Sequence, residues 1–450
     1  MSQASPTRPE WSALLIRSAL VAALGGLLFG FDTAVIAGAT RALRDAYGLS
    51  PAMLGFTVSS ALWGTVLGSI LAGGPADRFG RRASLHWLAV FYVVSALGCA
   101  FSPDYPWLIG FRVIGGLAIG ASSVIGPMYI AEISPAEKRG RLVGLFQLNV
   151  VLGILTAYLS NYLVGLAHTG AIEWRVKLGV AAAPAMLFFL TLFSIPRSPR
   201  WLVRVGRREE ARDVLVRIGE RDVDGELANI VESVTTEGRG QSEPLFQHKY
   251  RLPIFLAVSM GIFNQFTGIN AILYYLNDIF ERAGFSKVSS DQQAVAIGFT
   301  LLVFTLLAMS VIDRLGRKKL LLIGALGTGV CLAGVAAIFA TGKHGELLLW
   351  LLVGMIAFFS FSQGAVIWVY LSEVCPTLIR AKGQSLGSFS HWLMNALISG
   401  LFPLVAASSG ATPFALFSAM TFVQFVVVLL VFPETKGVTL EQMQKKVVAG

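Results

Sequence analysis

The sequence predicts an all-α membrane protein of twelve transmembrane helices in two pseudo-symmetric six-helix halves, and three observations lead there. Of its 450 residues 55% are hydrophobic and only 14% charged, against roughly 25% charged in ordinary soluble domains. Apolar segments of about 20 residues recur along the whole chain, each long enough to cross a hydrocarbon core of about 30 Å as a helix. The chain is also written twice, at an offset of about 240 residues. Asp77-Arg78-Phe79-Gly80-Arg81-Arg82 returns as Asp313-Arg314-Leu315-Gly316-Arg317-Lys318, and Glu132, Pro135 and Arg139 return with the same spacing as Glu373, Pro376 and Arg380.

Taken in order, the spans are expected near 18–40, 51–75, 84–102, 107–131, 142–164, 175–195, 252–280, 293–312, 320–341, 347–372, 384–407 and 413–432. The first is too long for a signal-peptide core, contains Asp32 and lacks a convincing cleavage site, so it is expected to be retained. The organisation that follows is an N-terminal half over 1–195, a cytoplasmic linker over 196–251, a C-terminal half over 252–432 and a tail over 433–450. In the linker, Arg207 to Glu220 reads as an amphipathic helix with Val214, Leu215 and Ile218 on one side. Residues 225–235 read as a second short helix, and Gly238 to Pro244 as a flexible connection. Two equivalent membrane-embedded halves around a central cleft are the architecture of a solute transporter.

The net charge of +10 invites a nucleic-acid reading, which its distribution removes. On this topology about 28 of the 36 Lys and Arg fall in the tails and alternate loops of one side. About 7 lie in or beside the opposite loops, and Arg112 alone sits inside a span. This positive-inside asymmetry sets both termini in the cytoplasm, and the even number of spans agrees. Cys99, Cys331 and Cys375 are odd in number and suggest neither a disulfide framework nor a metal site.

The residues then resemble a family. Gly25 to Asp32 in the first span, the two Asp-Arg-x-Gly-Arg loops, Arg112 with Gly115-Gly116, and Pro127 through Gly140 match sugar porters of the major facilitator superfamily. So do Pro196 through Arg200, Gln265 with Gly268-Ile269-Asn270, and Pro433-Glu434-Thr435-Lys436-Gly437. The match covers essentially the whole chain. It implies the major facilitator fold, transport of a monosaccharide by a protein acting as a monomer in an inner or plasma membrane, and no cofactor. One departure stands out: the family usually carries Glu in Pro-Glu-Ser-Pro-Arg, where this chain has Arg197.

Asp77, Arg78, Arg81, Glu132 and Arg139, with their counterparts Asp313, Arg314, Arg317, Glu373 and Arg380, can hold neighbouring helix ends by charge-assisted hydrogen bonds. Such ties would form a cytoplasmic gate; the alternative is that these charges only fix topology. Asp32 is sharper. An ionised group within a span costs on the order of 2.5–3.5 kcal/mol, which marks it as functional. Its natural partner is Arg112, at similar depth in the fourth span. A carboxylate that alternates between a cation and a drier setting can take up and release a proton. The resemblance implies proton symport, since facilitators typically carry Asn at the Asp position; a static buried ion pair is the alternative.

Sugar hydroxyls need donors and acceptors together, which amides provide, and aromatic faces cover the C–H surface of the ring. Asn264, Gln265, Asn270 and Tyr274 lie on the seventh span, Gln147 on the fifth, Trp368 on the tenth, and His391, Trp392 and Asn395 on the eleventh. The resemblance assigns sugar contacts to Gln147, Gln265, Asn270 and Trp368. It matches Trp392 to an aromatic position and places Asn264 and His391 where amides are usual. Phe31 is a further candidate, and Trp392 and Phe31 could equally be packing residues. His391 is either a neutral hydroxyl ligand or a second titrating group. Leu301 and Ile154 stand where related porters have Asn and Gln. Glycines at 261, 268, 354 and 364 would let the seventh and tenth spans bend.

Enzyme readings lack parts: no Gly-x-x-x-x-Gly-Lys phosphate loop appears, and Gly115-Gly116-x-x-x-Gly120 reads as close helix packing. The remaining readings are a proton-coupled hexose or pentose importer, a passive facilitator, a porter for polyols, and a non-transporting sugar sensor. The short tail after Pro433 argues against the sensor.

Overall fold

A computed structural model describes residues 12–135, 137–237, 244–376, 379–438 and 442–443. Within a bilayer every backbone N–H and C=O must be satisfied inside its own segment, so apolar runs of this length form helices. Twelve do: Ala13–Gly38, Pro51–Leu71, Arg81–Ala100, Tyr105–Ile133, Arg139–Leu166, Gly170–Ser194, His248–Tyr274, Lys287–Ile312, Arg317–Thr341, Gly345–Val374, Lys382–Ser408 and Thr412–Val431. Side chains such as Phe299, Trp350 and Leu430 stay exposed along their outer faces, where lipid tails rather than protein cover them.

Each packing relation in the first half recurs in the second. The first span packs on the fifth and the seventh on the eleventh; the second packs on the fourth and the eighth on the tenth. The third lies against the sixth and the ninth against the twelfth. The two most extensive contacts between the halves are second span to eleventh and fifth to eighth, and these exchange under the same pseudo-twofold. Close approach depends on small residues. A Cβ at Gly116 would lie 1.9 Å from the Ala61 carbonyl oxygen, and one at Gly120 would lie 2.1 Å from that of Thr65.

Two spans are broken where the sequence suggests one helix. The seventh runs as Arg251–Phe266, turns at Gly268 (φ +76°), and resumes as Ile269–Tyr274 and then Leu276–Arg282. The tenth divides at Ser362 into Leu348–Phe361 and Gln363–Val374. Of the four glycines expected to permit bending, Gly268 is at a break and Gly364 is two residues beyond one. Gly261 and Gly354 lie in unbroken helix, and Gly261 instead lets the eleventh span approach, its Cβ position being 2.5 Å from the Gly387 carbonyl oxygen.

The linker folds as Pro199–Arg204, Arg208–Ile218 and Val223–Glu237. Val214, Leu215 and Ile218 are buried, as expected of the amphipathic stretch, and Ser12 at the start of the first span donates to the Arg217 carbonyl at 3.0 Å. Of the expected flexible connection from Gly238 to Pro244, residues 238–243 lie outside the described residues. Cys375, between the tenth and eleventh spans, has its thiol pushed up to about 11 by burial, which keeps it protonated and inert.

Candidate functional site

Beyond Arg17 near its start, the first span carries no charge until Asp32 in its last helical turn, which points at Arg112 of the fourth. Arg112 Nη1 donates to both carboxylate oxygens of Asp32, at 3.2 and 3.3 Å. The arginine is buried, the carboxylate mostly so, and Arg112 Nε is buried without a partner. This single cation is what makes an ionised carboxylate tolerable at that depth. A small cavity, lined by Asp32, Arg112, Thr33, Phe29, Tyr274 and Trp392 among others, opens beside the pair.

A larger cavity of about 130 Å³ lies between the halves. Gln147, Asn264, Asn270, Tyr274, Trp368, His391, Trp392 and Asn395 all line it, together with Ile154 and Leu301. Phe29, Tyr274 and Trp392 line both cavities, so three side chains separate the ion pair from the larger space. The rings form a curved wall: Phe29 to Trp392 at 5.5 Å between centroids, Trp392 to His391 at 5.0 Å, and His391 to Trp368 at 5.2 Å.

Behind the wall lies an amide network. The Gln265 side-chain N–H₂ donates to Asn264 Oδ1 at 3.2 Å and to the His391 ring at 3.1 Å, and its Oε1 accepts from Asn270 Nδ2 at 3.0 Å. Both His391 ring nitrogens lie within hydrogen-bond reach of this Gln265 nitrogen, at 3.2 and 3.1 Å, an arrangement suited to a neutral imidazole that accepts. Asn395 Nδ2 donates to the Tyr274 hydroxyl at 3.3 Å and Ser399 to Asn395 Oδ1 at 3.1 Å.

Two expectations need correction. Phe31 is buried, 1% exposed, and does not line the cavity; Phe29 is the aromatic that does. Gln265 does not line the cavity either but is buried one layer behind, fixing Asn264, Asn270 and His391. Ser360, Thr305 and Phe359 also line the cavity and carry no motif that would have singled them out.

The face bearing most of the basic loops shows ties within each half. Arg81 pairs with Glu132 at 2.8 Å and with Asp77 at 3.1 Å, while Arg204 of the linker also reaches Asp77. Arg317 pairs with Glu373 at 2.8 Å, and Glu434 of the Pro-Glu-Thr-Lys-Gly motif accepts from the backbone N–H of Arg317 and Lys318. Arg139 donates to the carbonyls of Ala131 and Ser134, Arg380 to that of Cys375, and Arg78 lies over Phe79. Arg314 offers its carbonyl to Lys436, and the side chain of Asp313 lies outside the described residues.

Ties between the halves lie at the opposite face, which the sequence did not flag. Arg41 pairs with Glu281 at 2.8 Å, Arg44 with Asp278 at 2.8 Å, Lys287 with Glu173 at 2.8 Å, and Lys177 with Asp291 at 3.3 Å. The exposed Arg41 is held as a cation mainly by its hydrogen bond to Glu281, which raises its pKa. Lys177 and Asp291 are fully enclosed, with Asn277 completing the carboxylate's shell.

Twelve spans in two matching halves, a polar and aromatic cavity between them and an ion pair beside it define a secondary transporter rather than an enzyme. Residues 18–447 match the family model described as sugar (and other) transporter. The chain belongs to that family, within the major facilitator superfamily. It is 37% identical to the arabinose-proton symporter of Bacillus subtilis (strain 168) over 98% of this chain and 96% of that one. It is 34% identical to the D-xylose-proton symporter of Escherichia coli (strain K12), with 96% of each covered. Its fold matches the inward-open conformation of the Escherichia coli xylose transporter with a TM-score of 0.85 at 33% identity, over 95% of this chain and 98% of that one.

Proposed function

We propose that this protein is a proton-coupled monosaccharide symporter, taking a pentose or hexose by alternating access of halves 1–195 and 252–432. The observation that carries the reading is that Phe29, Tyr274 and Trp392 border both the Asp32–Arg112 pair and the polar cavity. A sugar that moves those rings alters the surroundings of the carboxylate, and protonation of the carboxylate alters them in return. Asp32 and Arg112 are the proton-coupling pair. Gln147, Asn264, Asn270, Tyr274, Trp368, Trp392 and Asn395 bind sugar, with His391 as a neutral ligand and Gln265 as their support. The relatives' proton-coupled pentoses support the substrate class.

The basic face is the cytoplasmic one, in a cell membrane, with both termini on that side, and the protein works as a monomer. The cross-half ion pairs at the opposite face, and the likeness to an inward-open structure, support a conformation open toward the cytoplasm. Its Arg81–Glu132 and Arg317–Glu373 pairs brace each half as a rigid body. The gating role of these residues lies in partners they take when the basic face closes.

Proteoliposomes holding wild type and Asp32→Asn test the reading with arabinose, xylose, glucose, galactose and inositol. Sugar-dependent proton entry in wild type, lost in Asp32→Asn while sugar exchange persists, is the expected result. Sugar flux without proton movement in wild type would make the protein a facilitator.

A further inference from the structure

A third cavity, of about 300 Å³, opens at the basic face where the third span begins and the sixth ends. Arg82, Arg197, His86, Trp87, Phe193 and Trp201 line it. Arg82 spends two donors on the carbonyls of Leu192 and Phe193, each at 3.2 Å, which leaves three of the five guanidinium N–H groups free. Arg197 is held with its guanidinium 5.7 Å from the Trp201 ring centroid. Neither arginine has a carboxylate partner among the described residues, since Asp77 is engaged by Arg81 and Arg204 and Glu132 by Arg81 and Ser198. His86 Nε2 is buried and unpartnered in the same wall. The other side of the cavity is apolar and outward-facing: Trp87 and Phe193 are 63% and 60% exposed. Arg81 also lines the cavity but is neutralised by Glu132 and Asp77; a Glu at 197 would balance Arg82, whereas Arg197 adds a second cation with no carboxylate in the lining.

We propose that this cavity is a binding site for the headgroup phosphate of an anionic phospholipid. The phosphate diester sits between Arg82 and Arg197, which offer charge-assisted hydrogen bonds to its oxygens. The acyl chains run down the Trp87 and Phe193 side, at the depth where aromatic residues meet the headgroup layer. A free phosphate would satisfy the arginines but not the exposed rings, so the lipid is the occupant. Bound there, it clasps the end of the sixth span and the start of the linker onto the third span.

Native mass spectrometry of the full chain, released from nanodiscs of mixed phosphatidylglycerol and phosphatidylcholine, tests this. Wild type should retain one phosphatidylglycerol in preference to phosphatidylcholine, and Arg197→Glu should reduce that retention about tenfold. Millimolar inorganic phosphate should not displace the lipid. Equal retention by wild type and Arg197→Glu, or displacement by inorganic phosphate, would overturn the proposal. If Arg197→Glu fails to fold, Arg197→Gln takes its place. The wild type provides a separate check: phosphatidylglycerol must raise its unfolding temperature more than phosphatidylcholine does, and equal shifts would also overturn the assignment.

Discussion

At the scale of single residues, the ionised groups were the legible part of the site. Asp32 and Arg112 are charges in otherwise apolar spans, and the cost of burying them forces them together. The aromatics were harder. Phe29 and Phe31 look alike in composition, yet only Phe29 shares a helix face with Asp32, three residues away. Truncation should separate them. Phe29→Ala should raise the sugar KM about tenfold with little change in thermal stability. Phe31→Ala should leave a cavity in the core, costing about 3 kcal/mol, and a melting curve in detergent would read it. The role proposed for His391 is that of a neutral ligand held by Gln265. His391→Gln should therefore retain proton coupling and an unchanged pH profile, and a transport-versus-pH curve that loses an inflection would refute the neutral role.

At the scale of elements, hydropathy located every span but could not see where helices break. The seventh span reads as one segment because its few polar residues around Gly268 do not end the apolar run, and the break at Ser362 has no Gly or Pro at the position itself. The start of the eighth helix was missed for the opposite reason. Residues Lys287 to Asp291 are polar, and they are helical because Lys177 and Asn277 satisfy Asp291 from outside the segment. Gly268 combines a left-handed backbone with crowding: an added Cβ would lie 2.2 Å from the Phe417 ring. Gly268→Ala should cost at least about 1 kcal/mol from the backbone alone and displace Asn270 from Gln265. Sugar affinity and unfolding temperature should fall together; a variant with wild-type values for both would show that the turn is not needed.

At the scale of the whole molecule, the repeat announced two halves, and their internal contacts do correspond pairwise. The contacts between halves were not legible, because pairing Arg41 with Glu281 or Lys177 with Asp291 requires knowing how the halves face each other. Gly55 marks the tightest of these contacts, its Cβ position lying 1.9 Å from the Gly400 carbonyl oxygen of the eleventh span. Gly55→Val should wedge the second and eleventh spans apart at the face opposite the basic loops. Cysteines placed along the cavity should then label faster from that face, and sugar counterflow should drop. Unchanged labelling would mean the halves do not need that approach to close.

The four ties across the halves differ in their contact with solvent. Lys177 and Asp291 are sealed, whereas Arg41 and Arg44 are partly open to it, with side chains 59% and 39% exposed. Electrolyte screens exposed charges over about 10 Å at 0.1 M and scarcely reaches enclosed ones. The resting balance between the two orientations is therefore adjustable from one compartment only. The composition of the medium at the face opposite the basic loops, which our reading places outside the cell, tunes how readily the empty carrier opens on that side.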